Sequence, residues 1–171
     1  MPDDCFYKIP HTFLIDTKEI IDKFGDLNNW GEYYSFKAKP LPNEYIEQDK
    51  FLTWLNNIYN FELILFYYPP YYIYNWHIDI RRGATLNMLL NFDGDSHCIF
   101  CKDKEFQDKK TLYFQELVYE PKKFYLFNTQ VHHSVYNFDK PRFLIGTEFK
   151  AKKDTLSYKK IKETIMQYVD S

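Results

Sequence analysis

His77-Ile78-Asp79 sets an imidazole and a carboxylate two residues apart in a segment, Tyr72 to Asp79, that reads as extended. Residues i and i+2 of a strand point to one face. A further imidazole from a distant strand would complete a two-histidine, one-carboxylate set. Such a set leaves coordination positions open and is the usual holder of non-haem Fe(II) in oxygenases. Taken alone the pair is weak, because a polar strand end or a hydrogen-bonded core histidine looks the same. The third ligand has two candidates in Val131-His132-His133-Ser134-Val135, and Arg142 follows His133 by nine residues. Arginine occurs only at 81, 82 and 142, so its placement is informative. A planar guanidinium could anchor the far carboxylate of a dicarboxylate that chelates iron at its other end.

Strand parity bears on the choice of histidine. If 131–137 and 142–149 form a hairpin around Phe138 to Pro141, Asn137 lies opposite Arg142 and His133 opposite Gly146. His133, Val135, Asn137, Arg142 and Leu144 then share one face, and His132 points to the outer one. A one-residue slip would reverse the assignment. On this register His133 is the expected ligand.

These residues need a β framework, and the chain has the signals for one. Strands are expected near 61–68, 72–79, 84–91, 96–101, 112–118, 123–128, 131–137 and 142–149. Pro69-Pro70, Arg81-Arg82-Gly83, Asp93-Gly94-Asp95, Glu120-Pro121 and Asp139-Lys140-Pro141 supply the turns. Eight short strands favour a double-sheet jelly roll or a barrel. The flanks read as helical. Asp16-Thr17 caps a short helix ending near Gly25, and Tyr45 to Tyr59 is amphipathic through Ile46, Phe51, Leu52, Leu55 and Ile58. Between them lies a polar, proline-containing stretch, Lys37 to Asn43. Asp154 to Val169 returns to a helix with Ile161, Ile165 and Val169 on one side. The expectation is one domain over 1–171, mainly β with flanking helices: a helical N-terminal segment over 1–60, a β core over 61–149 and a helix over 154–170. Helices should cover one sheet, with Trp76 and Ile78 supplying its buried outer face.

The composition suits a folded domain. Aromatic content is 20%, and 5 Gly and 8 Pro leave no low-complexity linker. No apolar run is long enough for a membrane span, and Met1 to Pro10 lacks the pattern of a signal peptide. Three cysteines at 5, 98 and 101 make no disulfide framework. A cytoplasmic location is therefore expected. A net charge of −2 gives no general reason to bind nucleic acid. The local run Lys150, Lys152, Lys153, Lys159, Lys160 and Lys162 reads as the exposed face of the last helix.

The run His77-x-Asp79, His133-x-Val135 and Arg142 resembles the Fe(II)/2-oxoglutarate-dependent dioxygenase superfamily. In style it is closest to prolyl-hydroxylase-like and aspartyl/asparaginyl-hydroxylase-like members, including small ones encoded by tailed phages; if viral, the chain would work in the host cytoplasm. The resemblance covers about Tyr67 to Phe149. It implies a double-stranded β-helix (jelly-roll) fold, with Fe(II) on His77, Asp79 and His133. It also implies 2-oxoglutarate, O2, and hydroxylation of a peptidyl or free amino-acid side chain (Pro, Asn or Asp) with release of succinate and CO2. The family's Tyr-Pro pair before His-x-Asp is matched approximately by Tyr68-Pro69. Tyr68 thus becomes a candidate, with Arg142, for the co-substrate carboxylate, and Tyr67 is an equally reachable neighbour. The family's glycine-containing loop is replaced here by Pro70-Tyr71-Tyr72. A non-catalytic jelly-roll protein that binds metal or a small molecule is the alternative.

Other residues have plainer readings. Thr85, Asn87 and Asn91 share one parity and could line a pocket; Asn87, in mid-strand, is the strongest of them and is taken as a co-substrate contact. Cys98 and Cys101 form a CxxC but face opposite sides of a strand, so structural roles are expected. Lys102 to Lys110 reads as a solvated loop or, alternatively, a lid. Arg81 and Arg82 form a charged turn or meet an anionic substrate at the pocket mouth.

Overall fold

Burial alternates along most of Phe61–Tyr68 and is nearly complete along Arg142–Phe149, and these two segments form the spine of the molecule. In the computed structural model, which describes residues 4–33, 36–102 and 113–169, β4 (Phe61–Tyr68) pairs antiparallel with β11 (Arg142–Phe149) along its whole length. Phe61 lies opposite Phe149, and Tyr68 opposite Arg142. On one side β11 meets β6 (Ala84–Leu89), then β9 (Tyr125–Asn128) and β1 (Phe6–Lys8). On the other, β4 meets β3 (Phe36–Pro40) and β2 (Gly31–Tyr33), giving seven strands. A second sheet orders β5 (Tyr72–His77), β10 (His132–Asn137), β7 (Ser96–Cys101) and β8 (Phe114–Leu117). All pairings are antiparallel. The two four-stranded layers β9-β6-β11-β4 and β5-β10-β7-β8 make the expected double-stranded β-helix.

Parity divides the side chains of the large sheet. Phe61, Leu63, Leu65, Leu86, Met88, Phe143 and Ile145 face the helices α1 (Thr17–Phe24), α3 (Lys50–Tyr59) and α4 (Tyr158–Val169), packing with Ile20, Phe51, Leu52, Leu55, Ile161 and Ile165. Each such side chain contributes about 1.5–3 kcal/mol when fully buried. The opposite parity, with Phe66, Tyr68, Leu89 and Leu144, faces the second sheet. That interior holds the candidate site. No helix of the described residues is long and apolar enough to cross a membrane.

Several expectations need correction. Residues 1–60 are not helical alone, since β1, β2 and β3 extend the large sheet beside α1, α2 and α3. In β3, buried Phe36 and Ala38 alternate with half-exposed Lys37 and Lys39, and the strand exists because β4 offers it an edge. The helix expected from Tyr45 breaks at Asp49 into α2 (Glu44–Glu47) and α3; the Asp49 carboxylate caps α3 by accepting from Phe51 N and Leu52 N at 2.9 and 3.0 Å. The C-terminal helix begins at Tyr158, and Val169 is exposed. Trp76 and Ile78 supply no helix-covered face, because β5 belongs to the other sheet; Ile78 is exposed and Trp76 half-buried. Finally, β10 and β11 form no hairpin. They lie in opposite sheets, and the chain crosses between them over 138–141. Asn137 Nδ2 directs this crossing, donating to Pro69 O at 2.6 Å and Lys140 O at 2.9 Å.

Candidate metal centre

His77 reaches the interior through an irregularity in β5. His133 pairs with His77 and Val135 with Tyr74, so one residue of β10, Ser134, opposes two of β5, Asn75 and Trp76. The extra residue is a β-bulge, a device that re-aims a side chain. It lets Tyr74 and His77, three residues apart, both line the interior cavity. His77 Nδ1 donates to Asn75 O at 2.6 Å, and His133 Nδ1 to Val131 O at 2.9 Å. A carbonyl only accepts, so Nδ1 carries the proton and each Nε2 presents a lone pair.

Asp79 completes the group. Its Oδ1 lies 3.7 Å from His77 Nε2, and the ligand atoms of His77, Asp79 and His133 all lie within 4.8 Å of one another. Oδ2 accepts from Arg82 Nε at 2.9 Å and pairs with Nη2 at 2.7 Å. The backbone is pinned as well. Asp79 N donates to Thr129 O at 2.9 Å, Gln130 Nε2 to the carbonyls of Asp79 and Arg82 at 3.0 and 2.7 Å, and Thr129 Oγ1 to Arg82 O at 2.6 Å. Burial pushes both imidazoles below their ordinary pKa, His133 to about 4 with a further contribution from neighbouring His77. Both are therefore neutral near pH 7, the form in which a histidine ligates.

The far wall of the cavity is built for an anion. Arg142 is 3% exposed, with its Cζ 5.8 Å from the Tyr68 ring centre and 5.4 Å from that of Tyr119. Arg142 Nε, Arg142 Nη1 and Tyr119 Oη are buried without a hydrogen-bond partner among the described residues, as is His77 Nε2. A buried, unpaired guanidinium is costly, and a carboxylate is its natural complement. Burial holds the Tyr119 phenol well above its ordinary pKa, so it is a donor. The orphaned N–H and O–H donors together with the lone-pair donors lining the same cavity fit a metal-chelated dicarboxylate.

Of the other expected residues, Tyr68 lines the cavity, whereas Tyr67 turns to the helix side against Phe143, ring centres 5.3 Å apart. Asn87 and Thr85 line the cavity, and Thr85 Oγ1 donates to Thr147 O at 2.9 Å. Asn91 is committed elsewhere, donating to Asp93 and Pro141 and accepting from Phe143 N. His132, half-buried opposite Cys101, is outside the three-residue group. Arg81 is exposed, while Arg82 is engaged by Asp79 and, at 3.8 Å, Glu148. All three cysteines are buried and free, and Cys98 lines the cavity. Of the proposed loop or lid, residues 103–110 lie outside the described residues. Tyr119, Tyr74 and Phe36 also line the cavity and were not expected from the sequence. Among 16 tyrosines, nothing local distinguishes Tyr119 beyond its place before the Glu120-Pro121 turn.

No protein-family model matches the chain, and no curated protein matches its sequence. Solved structures do. A prolyl-4-hydroxylase from Pseudomonas putida matches over 86% of this chain and 92% of its own, with a TM-score of 0.59 and 13% identity. A viral collagen prolyl hydroxylase from Paramecium bursaria Chlorella virus-1, solved with 2-oxoglutarate, matches over 85% and 94% at a TM-score of 0.54 and 19% identity. A prolyl hydroxylase from Trichoplax adhaerens, in complex with a hypoxia inducible factor peptide fragment, matches over 90% and 86% at 0.64 and 13%. At these identities the likeness is one of fold.

Proposed function

We propose that this chain is an Fe(II)- and 2-oxoglutarate-dependent oxygenase that hydroxylates a peptidyl or free amino-acid side chain of the proline, asparagine or aspartate type. One observation carries the reading. Two histidine Nε2 atoms and one aspartate oxygen converge on a cavity that is also lined by Arg142 and Tyr119, whose buried donors are unpartnered among the described residues. His77, Asp79 and His133 would hold the metal. Arg142 and Tyr119 would take the distal carboxylate of 2-oxoglutarate, beside Tyr68 and Asn87. When bound, iron and its co-substrate supply the oxidising chemistry, using O2 and releasing succinate and CO2. The protein contributes orientation and dryness, because Phe36, Phe66, Phe127 and Leu144 wall the cavity with apolar surface.

The peptide-bound Trichoplax structure and the other prolyl hydroxylases of the same fold support a peptide substrate. Three free, buried cysteines fit work in a reducing cytoplasm. The viral structure of like fold fits a virus-encoded origin.

Anaerobic titration tests the proposal. Fe(II) followed by 2-oxoglutarate should give the weak visible absorption of the chelate, and admitting air should bleach it as succinate forms. No absorption, or absorption that persists in air without succinate, would overturn it.

A further inference from the structure

Asp79 offers its two oxygens to different partners. Oδ1 faces the imidazoles, 3.7 Å from His77 Nε2, while Oδ2 takes both Nε and Nη2 of Arg82 at 2.9 and 2.7 Å. A guanidinium facing a carboxylate commonly pairs two N–H groups with two oxygens. Here both go to one oxygen, and the other remains turned to the metal-binding group. Arg82 is itself held. Its Nη1 lies 3.8 Å from Glu148 Oε2, and its carbonyl accepts from Thr129 Oγ1 and Gln130 Nε2. With the Asp79 backbone also bonded to Thr129 and Gln130, rotation of the carboxylate must break a charge-assisted hydrogen bond and a close ion-pair contact.

We propose, resting on the reading above, that Arg82 is a positioning residue that restricts Asp79 to ligation through Oδ1 and so keeps a coordination position open for 2-oxoglutarate. Carboxylates ligate through one oxygen or both. An Asp79 released from Arg82 could turn Oδ2 inward and occupy a position that the co-substrate needs. The signature is a split. Metal binding is retained, since the second oxygen compensates, while co-substrate binding weakens. An ordinary supporting contact behaves differently, because its loss lowers metal affinity by about 10–100-fold.

The experiment compares wild type with Arg82→Gln, Arg82→Lys and Arg81→Gln, the last removing the same charge from an exposed neighbour. Melting curves establish that each variant folds. Anaerobic Fe(II) titration gives metal affinity, and the visible absorption on adding 2-oxoglutarate gives co-substrate affinity. Arg82→Gln should bind Fe(II) within about threefold of wild type yet need about tenfold more 2-oxoglutarate, a loss in the range of outer-contact mutations. Arg82→Lys, which keeps one charged donor for Oδ2, should fall between them. Arg81→Gln should match wild type. Unchanged 2-oxoglutarate affinity in Arg82→Gln overturns the inference and leaves the functional reading standing. An equal loss of metal and co-substrate affinity overturns it too, by making Arg82 an ordinary support. Absence of the absorption in wild type overturns the functional reading and this inference with it.

Discussion

His77 and His133 stand opposite each other on β5 and β10 with ring centres 4.2 Å apart, and each donates Nδ1–H to the carbonyl two residues before it. The two imidazoles are thus fixed in orientation and tautomer by their own strands. His77→Ala or Asp79→Ala should therefore remove a metal ligand while leaving the sheets intact. Iron-dependent turnover of 2-oxoglutarate, followed as succinate, is expected to fall at least about 100-fold. Turnover at the wild-type level in either variant would show that the metal does not sit here.

The same burial gives stability a pH dependence of definite sign. Unfolded, each imidazole takes up a proton near pH 6.5; folded, burial holds His77 below that value and His133 down at about 4. Between about pH 6.5 and about 4 the unfolded chain binds more protons, so this contribution to stability is full above the window and declines as pH falls through it. The urea midpoint should be level from about pH 7 to 8 and fall below about 6.5. His133→Gln should show a shallower fall. Equal slopes in the two proteins would remove His133 as the cause.

Tyr119→Phe should act in opposite directions on the empty and loaded protein. Without ligand, it deletes a buried hydroxyl that has no partner among the described residues, a group whose burial costs about 1–3 kcal/mol, so the melting temperature should rise. With ligand, it deletes a donor to a carboxylate, worth about 1.5–3 kcal/mol, and 2-oxoglutarate should bind about 10–100-fold more weakly. A melting temperature that falls, together with unchanged affinity, would assign the hydroxyl to an internal contact instead.

Gly146 is small because two site residues leave it no room. A Cβ there would stand 2.7 Å from Phe66 Cε2 and 2.8 Å from Asn87 Oδ1. Gly146→Ala should lower stability by about 1–3 kcal/mol through overpacking, read from urea denaturation. It should also weaken 2-oxoglutarate binding, because Asn87 and Phe66 both line the cavity. A neutral substitution would mean that both side chains can move aside without cost.

The strands that the sequence announces most clearly follow directly on turn residues, Asn60, Asp93-Gly94-Asp95 and Asp139-Lys140-Pro141. β4, β7 and β11 fall within the expected limits to the residue. The grouping of His77, Asp79, His133 and Arg142 was legible from local spacing and from the scarcity of arginine. The partners of β10 and β11 were not legible. A four-residue link can close a hairpin or cross between sheets, and the Asn137 bonds that choose are tertiary. His133, Val135, Arg142 and Leu144 nevertheless meet as expected, because facing sheets direct them to a shared interior, whereas Asn137, expected on the same face, holds the crossing instead. β1 and β3 escaped notice because their strand character is conferred by pairing with β9 and β4. Tyr119 escaped because its role depends on Arg142, which only folding brings beside it.

The bulge between Tyr74 and His77 lets the length of this strand vary by one residue without moving its ligand to the other face. Deleting one residue there would restore regular pleating and leave Tyr74 and His77 two residues apart, both still turned to the interior. The centre can therefore lose that residue and keep its ligands, whereas a further single insertion would need a second bulge to hold His77 inside. A single gap at Asn75-Trp76 can thus align chains that both keep the centre.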